Sequence, residues 1–248
     1  MNERVPIYRR IADELRDAIQ AGEYVDGDKL PGENAIMKSH SVARATARQA
    51  LSVLINEGIA MSRKGSGVYV RLFTRVKRQS PERLASQRWQ GGHDIHTLDA
   101  SGRKRAVDSV EVDRVACPDH VAEAFGVPLG SVTLRRKRRY WIDDEPVQLA
   151  TSYIPLELTE NTAIVNVDTG PGGTYARLAE AGYKPVRFVE RLVVKMPTPD
   201  EVSMLLLVPG TPVILITRFA FSADDRLVEV NDMVLDASSY ALEYEFSS

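Results

Sequence analysis

The sequence predicts an α+β protein in two parts, a small helical module followed by a larger domain built around a mainly antiparallel sheet. Two observations predict this fold. Up to Val70 the apolar residues recur mainly at the spacing of helices, and from about Ala106 they alternate mainly with polar residues, as in strands. The length of 248 residues is enough for two small cores.

Basic charge is concentrated in the first part of the chain. Residues 1–78 carry 14 Lys and Arg against 9 Asp and Glu, whereas the other 170 residues carry 18 against 25. This asymmetry favours nucleic acid as the partner of the first part and a different partner for the second. The single cysteine, Cys117, cannot form an internal disulfide, and no apolar signal segment or membrane-length run occurs. We therefore expect a cytoplasmic protein.

Three helices are predicted in the first module, over residues 6–21, 33–39 and from 42 or 43 to about 57. Pro6 suits a first helical position because it lacks the N–H that would have no partner there. Gly22 suits the position just after a helix. The third helix carries an apolar stripe that includes Ala47, Leu51 and Leu54.

A different face of the third helix carries Arg44 and Arg48, four residues apart, with Thr46 in the same turns. This layout is typical of a recognition helix, whose first turns enter the major groove so that arginines contact guanine edges or phosphates. An ordinary amphipathic helix with solvated arginines explains the pattern of this helix equally well when it is considered alone.

A basic turn, RKGSG at residues 63–67, lies between an extended segment opened by Ile59 and the alternating stretch 68–70. Such a glycine-rich tip can approach a DNA backbone closely, because glycine carries no side chain. One KGSG turn is more often a plain hairpin. Three helices followed by a basic hairpin, in this order, favour a DNA-binding module.

Four segments carry a resemblance to a known family: PIYRRIADELRDAIQAGEY, GDKLPGE, VARATARQALSVLINEGIA and KGSGVYV. In this order they resemble the winged helix-turn-helix domain of GntR-type bacterial transcription regulators. The resemblance implies that DNA is contacted by a set of residues on the second helix, the third helix and the hairpin tip, namely Asn34, Arg44, Thr46, Arg48, Lys64 and Gly65. The sequence departs from the family at Ala43, where a Ser or Thr usually caps the helix and touches phosphate.

Residues 72–90 are basic and polar, which predicts a linker with a short helix at 81–88. Beyond it we expect six strands, at 106–115, 132–142, 146–154, 184–195, 213–221 and 227–235. Helices are expected at 118–125, 174–181 and 199–207. Hairpin turns are expected at 143–145 and 223–225.

The second part resembles the UTRA ligand-binding domain of the HutC branch of GntR regulators, through RRYWIDDEPVQLATSYIP, GGTYARLAEAGY and PGTPVILITRFAFSADDRLVEV. That domain has a chorismate-lyase-like fold and is a sensor without a cofactor. The resemblance implies a DNA-binding domain at 1–71, a linker at 72–90, and an effector-binding and dimerisation domain at 91–248. By position it implies that the effector is contacted by Arg138, Tyr140, Gly173, Thr174, Tyr175, Glu229 and Tyr240.

The residues themselves make an effector site plausible. A glycine-rich turn at 168–173 leads into a helix, and the N–H groups at a helix start favour an anion. Arg138 can add a charge-assisted hydrogen bond, and Glu229 can accept from hydroxyl or amine donors. Alternatives remain for each: the glycines only turn the chain, at least half of the basic run 135–139 is solvated or paired, and Glu229 forms a surface ion pair.

The functional hypothesis is a bacterial, nucleoid-associated repressor that binds an inverted-repeat operator as a homodimer and is released by a small effector. The alternatives are a constitutive DNA-binding dimer whose second domain does not sense, and an enzyme of chorismate-lyase-like fold tethered to DNA. His93 and His96 are the best candidates for metal ligands, but they have no Cys, Asp or Glu cluster at matching spacing, so we expect no metal.

Overall fold

The computed structural model describes residues 5–63, 65–71, 76–80 and 103–245. The chain divides into two compact units, one formed mainly by residues 1–74 and the other mainly by residues 75–248. The predicted α+β class is confirmed. None of the helices in the described ranges is long and apolar enough to span a membrane.

The first unit contains three helices and one antiparallel hairpin, in the predicted order. Their bounds are α1 Ile7–Gln20, α2 Glu33–His40, α3 Arg44–Asn56, β1 Ala60–Arg63 and β2 Gly67–Val70. Gly22 follows α1 with φ +80°, a conformation that side-chain-bearing residues rarely adopt. Each of the three helices begins and ends within about two residues of the predicted bounds.

The core of this unit is formed by the predicted apolar stripes. Ile11 of α1 is 2% exposed, and Leu54 of α3 is fully buried in the same cluster. Each such side chain contributes about 1.5–3 kcal/mol by leaving water. Outside the core, the Arg16 guanidinium contacts both carboxylate oxygens of Glu57, at 2.6 and 3.0 Å, and so joins α1 to the end of α3. The hydrogen bonds that Arg16 donates to Glu57 and then to Asp13 raise the pKa of Arg16 above its usual value.

The second unit is built on a six-stranded antiparallel sheet with the strand order β4-β5-β6-β9-β8-β7. Its strands are β4 Arg105–Ala116, β5 Val132–Ile142, β6 Glu145–Pro155, β7 Arg187–Lys195, β8 Val213–Phe221 and β9 Leu227–Asp236. All six were predicted. The helices are α4 Asp119–Phe125, α5 Gly173–Glu180 and α6 Pro199–Leu205.

Apolar side chains cover both faces of this sheet. Ile154 packs with Leu178 of α5, whereas its neighbour Tyr153 packs with Val121 of α4. Consecutive strand residues point to opposite faces, so the two helices bury two separate clusters. The sequence expected at 143–145 to turn the β5–β6 hairpin does so, with positive φ at Asp143 and Asp144.

The linker prediction is wrong for five residues. Strand β3, Val76–Ser80, pairs in parallel with β10, Tyr240–Tyr244, and neither strand was predicted. The linker was inferred from the polarity of the segment, but Arg78 is only 1% exposed and has an acidic partner far along the chain. Residues 72–75 and 81–90, including the helix expected at 81–88, lie outside the described residues.

Candidate functional site

Helix α3 presents its arginines to solvent. The side chain of Arg44 is 65% exposed and Arg48 is also exposed, while Ala47 and Leu51 on the other side are buried. The burial of one stripe fixes the rotation of the helix, so the guanidinium groups face outward. This is the orientation that contact with a DNA groove requires.

The two arginines differ in how they are held. Arg44 Nη2 donates to Asn34 Oδ1 at 3.0 Å, and its Nε lies 3.6 Å from Glu33 Oε2 on α2. Within the described part of the chain, the Arg48 guanidinium has no hydrogen bond and no ion pair. Asn34 therefore orients Arg44, whereas Arg48 is free to contact an external group.

The start of α3 has no side-chain cap. Ala43 occupies the N-cap position with φ −68° and ψ 154°, and its methyl group cannot accept a hydrogen bond. Thr46, half-buried in the first turn, donates its backbone N–H to the Ala43 carbonyl at 3.0 Å. The other N–H groups of this turn are suited to a phosphate oxygen.

The hairpin tip carries Gly65, which is exposed with φ +73°, while Lys64 lies outside the described residues. Two further cations gather on one ring of the hairpin: the Arg63 guanidinium lies 4.4 Å and the Lys29 ammonium 5.9 Å from the centre of the Tyr69 ring. Lys29 was not predicted at this site, because only the isolated bridge between Lys29 and Tyr69 in the folded chain brings it to the hairpin.

The second unit contains a cavity of about 600 Å³. It lies against β4, β5, β8, β9 and the segment that leads into α5. Six of the seven residues predicted to contact an effector line it, namely Arg138, Tyr140, Gly173, Thr174, Tyr175 and Glu229. The seventh prediction is corrected: Tyr240 does not line the cavity, because it belongs to β10, where its hydroxyl donates to Gln148 Oε1 at 3.4 Å.

The basic run of β5 divides between the two faces of the sheet, as expected for a strand. Its odd-numbered members form ion pairs with acidic residues of β4, namely Arg135 with Asp113, Lys137 with Glu111 and Arg139 with Asp108. Hydrogen bonds from Arg139 lower the pKa of Asp108 to about 2. The even-numbered members, Arg136 and Arg138, line the cavity on the other face.

Arg136 is only 2% exposed and is held by backbone carbonyls. Its Nη2 donates to the Val167 carbonyl at 3.1 Å, and its Nη1 donates to the carbonyls of Ile164 and Asn166. Burial and then repulsion from Arg138 lower the pKa of Arg136 to about 10, so it stays charged at neutral pH. Arg136 was not among the predicted effector contacts, although strand alternation places it on the same face as Arg138.

Arg138 donates to the hydroxyl of Ser152 on the adjacent strand. Among the described residues, neither Arg136 nor Arg138 is in ion-pair contact with a carboxylate. The cavity therefore holds two positive charges that no carboxylate in the described part of the chain pairs.

Glu229 is 1% exposed, so the surface ion pair considered for it is wrong. It lies in β9, between two strands of the sheet, and its Oε2 accepts a hydrogen bond of 2.6 Å from the Tyr175 hydroxyl. Burial and the negative charge of Glu229 raise the pKa of Tyr175 above its usual value. Tyr175 is thus a neutral donor that holds the carboxylate in place.

Besides Arg218 Nη2, which is ion-paired with Glu190, four buried polar atoms of the cavity-lining residues have no hydrogen-bond partner within the described ranges, namely Arg136 Nε, Arg138 Nε, Thr174 Oγ1 and Asn231 Oδ1. Buried polar atoms are almost always satisfied in folded proteins. Four such atoms on the residues that line it make the wall of the cavity polar. Asn231 had not been predicted, and its register partner Arg218 on β8 also lines the cavity.

The glycine-rich segment before α5 forms one wall of the cavity. Gly172 and Gly173 both have positive φ, at +80° and +65°, which lets the chain turn sharply into the helix. Asp168 accepts from the Gly170 N–H at 2.8 Å and so stabilises the turn. No group of three or more His, Cys, Asp or Glu suited to a metal occurs in the described ranges, and His93 and His96 lie outside them.

Two family models match the chain. The model described as bacterial regulatory proteins, gntR family, matches residues 7–70, and the UTRA domain model matches residues 100–241. The protein is a GntR-family regulator with a UTRA domain. GntR regulators bind DNA and UTRA domains bind small-molecule effectors, so the helical face and the cavity each have a counterpart in this family.

Relatives of this GntR regulator cover almost its whole length. It is 29% identical to an uncharacterised HTH-type transcriptional regulator of Streptomyces coelicolor, over 99% of this chain and 94% of that protein. It is 25% identical to the HTH-type transcriptional regulator GgaR of Escherichia coli, over 92% and 89%. It is 26% identical to the HTH-type transcriptional repressor NagR of Bacillus subtilis, over 88% and 85%.

Solved structures share the fold. A crystal structure assigned to the GntR family covers 98% of this chain and 98% of its own, with a TM-score of 0.61 and 25% identity. PhnF from Mycobacterium smegmatis has the same TM-score with 21% identity, over 96% of this chain and 99% of that one.

Proposed function

We propose that this protein is a transcriptional repressor that binds an inverted-repeat operator as a homodimer and leaves it when a small anionic effector fills the cavity. In this proposal residues 1–71 bind DNA, residues 72–75 connect the two domains, and residues 76–248 bind the effector and dimerise. The observation that carries the proposal is the pair of arginines, Arg136 buried and Arg138 half-buried, that line the cavity of a UTRA domain without an ion pair to a described carboxylate. Relatives named as repressors, NagR among them, support repression over activation.

The charge of the cavity sets the chemistry of the effector. A buried cation without a counter-ion is costly, so a carboxylate or phosphate bound to Arg136 and Arg138 would offset that cost. Charge-assisted hydrogen bonds of this kind are stronger than neutral ones. On the other side, Glu229 and Asn231 Oδ1 can accept hydrogen bonds, which suits a ligand with hydroxyl or amine donors.

The effector contacts in this proposal come from two sources. The sequence supplied Arg138, Tyr140, Gly173, Thr174, Tyr175 and Glu229, and the cavity geometry adds Arg136, Arg218 and Asn231. The N–H groups at the start of α5 would complete the binding of the anion.

On the DNA side, Arg48 is the residue we expect to contact bases, because its exposed guanidinium has no partner in the described part of the protein. Arg44, oriented by Asn34, and Thr46 would contact the backbone or adjacent bases. Lys64 and Gly65 would contact the backbone from the hairpin. Two protomers would place their α3 helices in successive major grooves, which requires an inverted repeat.

Release follows from differential binding. The protein can adopt an arrangement that fits the operator and one that does not. An effector with higher affinity for the second arrangement shifts the population toward it.

The constitutive alternative does not account for a cavity of about 600 Å³ with four unsatisfied polar atoms. We also propose that the cavity binds its ligand without chemical change, since Glu229 is engaged with Tyr175. Recovery of an altered ligand after incubation would instead support the enzyme alternative.

A thermal-shift screen of phosphorylated and carboxylated metabolites tests the proposal, followed by gel shifts on DNA from the regulator's own promoter. A ligand at 100 times its Kd stabilises a folded protein by about 2.7 kcal/mol, which is easily detected. We expect one compound both to stabilise the protein and to dissociate it from DNA. A compound that stabilises the wild type and the Arg138→Ala variant equally would contradict the assignment of the site.

A further inference from the structure

A chain of buried polar contacts leads from the cavity to strand β3. Tyr175 donates to Glu229 at the cavity wall, and Arg218 lies beside Tyr175, with which it shares a hydrogen bond. Arg218 Nε also donates to Glu190 Oε1 at 2.8 Å. The same oxygen accepts a hydrogen bond of 2.6 Å from Nη2 of Arg78 on β3.

Arg78 and Arg218 are the two largest fully buried side chains in the described residues, at 1% and 2% exposure. Burying an arginine is costly unless it is paired, and breaking a buried pair is strongly destabilising. Burial would lower the pKa of Arg218, but Tyr175 and Glu190 raise it above its usual value. The position of β3 therefore depends on Glu190, and the position of Glu190 depends on Arg218.

The position of β3 in the chain gives this contact its importance. Only residues 72–75 separate Arg71, which belongs to the first unit, from Val76. β3 is held to β10 by the Val76 N–H, which donates to the Ser239 carbonyl at 2.8 Å, and by strand pairing with Tyr240–Tyr244. A change in β3 is thus a change at the segment that joins the effector domain to the DNA-binding domain.

We propose that Arg218, Glu190 and Arg78 transmit the state of the effector cavity to strand β3. The mechanism is competition for one oxygen. Arg218 faces the cavity at one end and shares Glu190 Oε1 with Arg78 at the other. A bound anion that draws Arg218 toward the cavity weakens its bond to Glu190, and the carboxylate then moves toward Arg78. This proposal rests on the proposed function of the cavity, and Glu190 acts in it as a positioning residue.

The test uses hydrogen exchange in the full-length protein and needs no ligand, so that it fails independently of the effector assignment. Tyr175→Phe perturbs the cavity end of the chain of contacts without touching β3. We expect it to raise amide exchange in β3 and β10 by about fivefold, the effect of one lost hydrogen bond. Exchange in β4, at the edge of the six-stranded sheet opposite the Glu190 strand β7, should stay within about 1.5-fold and so separates local coupling from global destabilisation.

Two further variants test whether the coupling to β3 passes through Tyr175 and Arg78. Thr174→Ala, in the same cavity and without a hydrogen bond to lose, should leave β3 exchange unchanged. In an Arg78→Met background, Tyr175→Phe should no longer affect β3. If Arg78→Met does not fold or leaves β3 without measurable protection, Glu190→Gln replaces it, with the same expectation.

Unchanged β3 exchange in Tyr175→Phe overturns the proposal. An equal increase in β3 exchange in the presence and in the absence of Arg78 also overturns it, because the coupling would then not pass through Arg78. Inorganic phosphate serves as the probe in a second arm. If it binds Glu190→Gln at least as tightly as the wild type but alters β3 exchange only in the wild type, the coupling is supported; equal alteration in both overturns it.

Discussion

Replacement of Arg138 by Ala separates ligand binding from folding in the UTRA domain. Arg138 faces the cavity, and its Nε has no partner in the described residues. A hydrogen bond to a charged group contributes about 1.5–3 kcal/mol, so the Kd of an anionic ligand should rise about 10- to 150-fold. The free energy of unfolding should change by less than about 1 kcal/mol, because loss of the Ser152 hydrogen bond is offset by loss of repulsion with Arg136.

The next residue of β5 provides the matched control. Arg139 points to the other face and forms a partly exposed ion pair with Asp108, so Arg139→Ala loses about 1 kcal/mol of stability at most. It should retain the full ligand affinity. Isothermal titration with the compound found by thermal shift compares the two variants. An unchanged Kd in Arg138→Ala, or an equal loss in Arg139→Ala, would refute the assignment of the cavity arginines.

Three other predictions concern the DNA-binding domain and the pH dependence. Arg48→Ala should weaken operator binding by about 1–3 kcal/mol without loss of fold, measured by fluorescence anisotropy and circular dichroism; wild-type affinity would argue against α3 as the recognition helix. Ala43→Ser should supply the missing cap, stabilise the first unit by about 1 kcal/mol and tighten binding, and a drop in its thermal midpoint would show that α3 starts elsewhere. Because Arg139 lowers the pKa of Asp108 to about 2, below its unfolded value of about 3.9, their pair contributes stability above pH about 4 and loses it as the pH falls toward 2. The stability difference between wild type and Asp108→Asn in urea should therefore shrink over this range, and a difference that grows would contradict the pairing.

Much of the fold could be predicted from the local periodicity of apolar residues. The stripe on α3 fixed which side of the helix faces solvent, and the alternation along β5 separated the paired cations from those in the cavity. Both inferences depend only on neighbours in the sequence. Arg136 and Arg218 were available to the same argument, since each occupies an inward position of a strand.

The features that the sequence could not predict are buried charged residues whose partners lie far away along the chain. Arg78 lies in a segment that resembles a solvated linker, and the residue that permits its burial, Glu190, is 112 positions away. Glu229 is similar, because its partner Tyr175 is 54 positions away. Tyr240 was assigned to the cavity by position in the family, but pairing of β10 with β3 directs it elsewhere. A charged residue looks exposed until its partner is known.

The most direct test is the affinity of the full-length regulator for its operator as the compound identified by thermal shift is added. Fluorescence anisotropy at fixed salt should show the Kd for DNA rising at least fivefold as the cavity is saturated in the wild type. In Arg138→Ala the same rise should occur only at concentrations about 10- to 150-fold higher. Saturable binding of the compound in the cavity with an unchanged Kd for DNA would contradict the account.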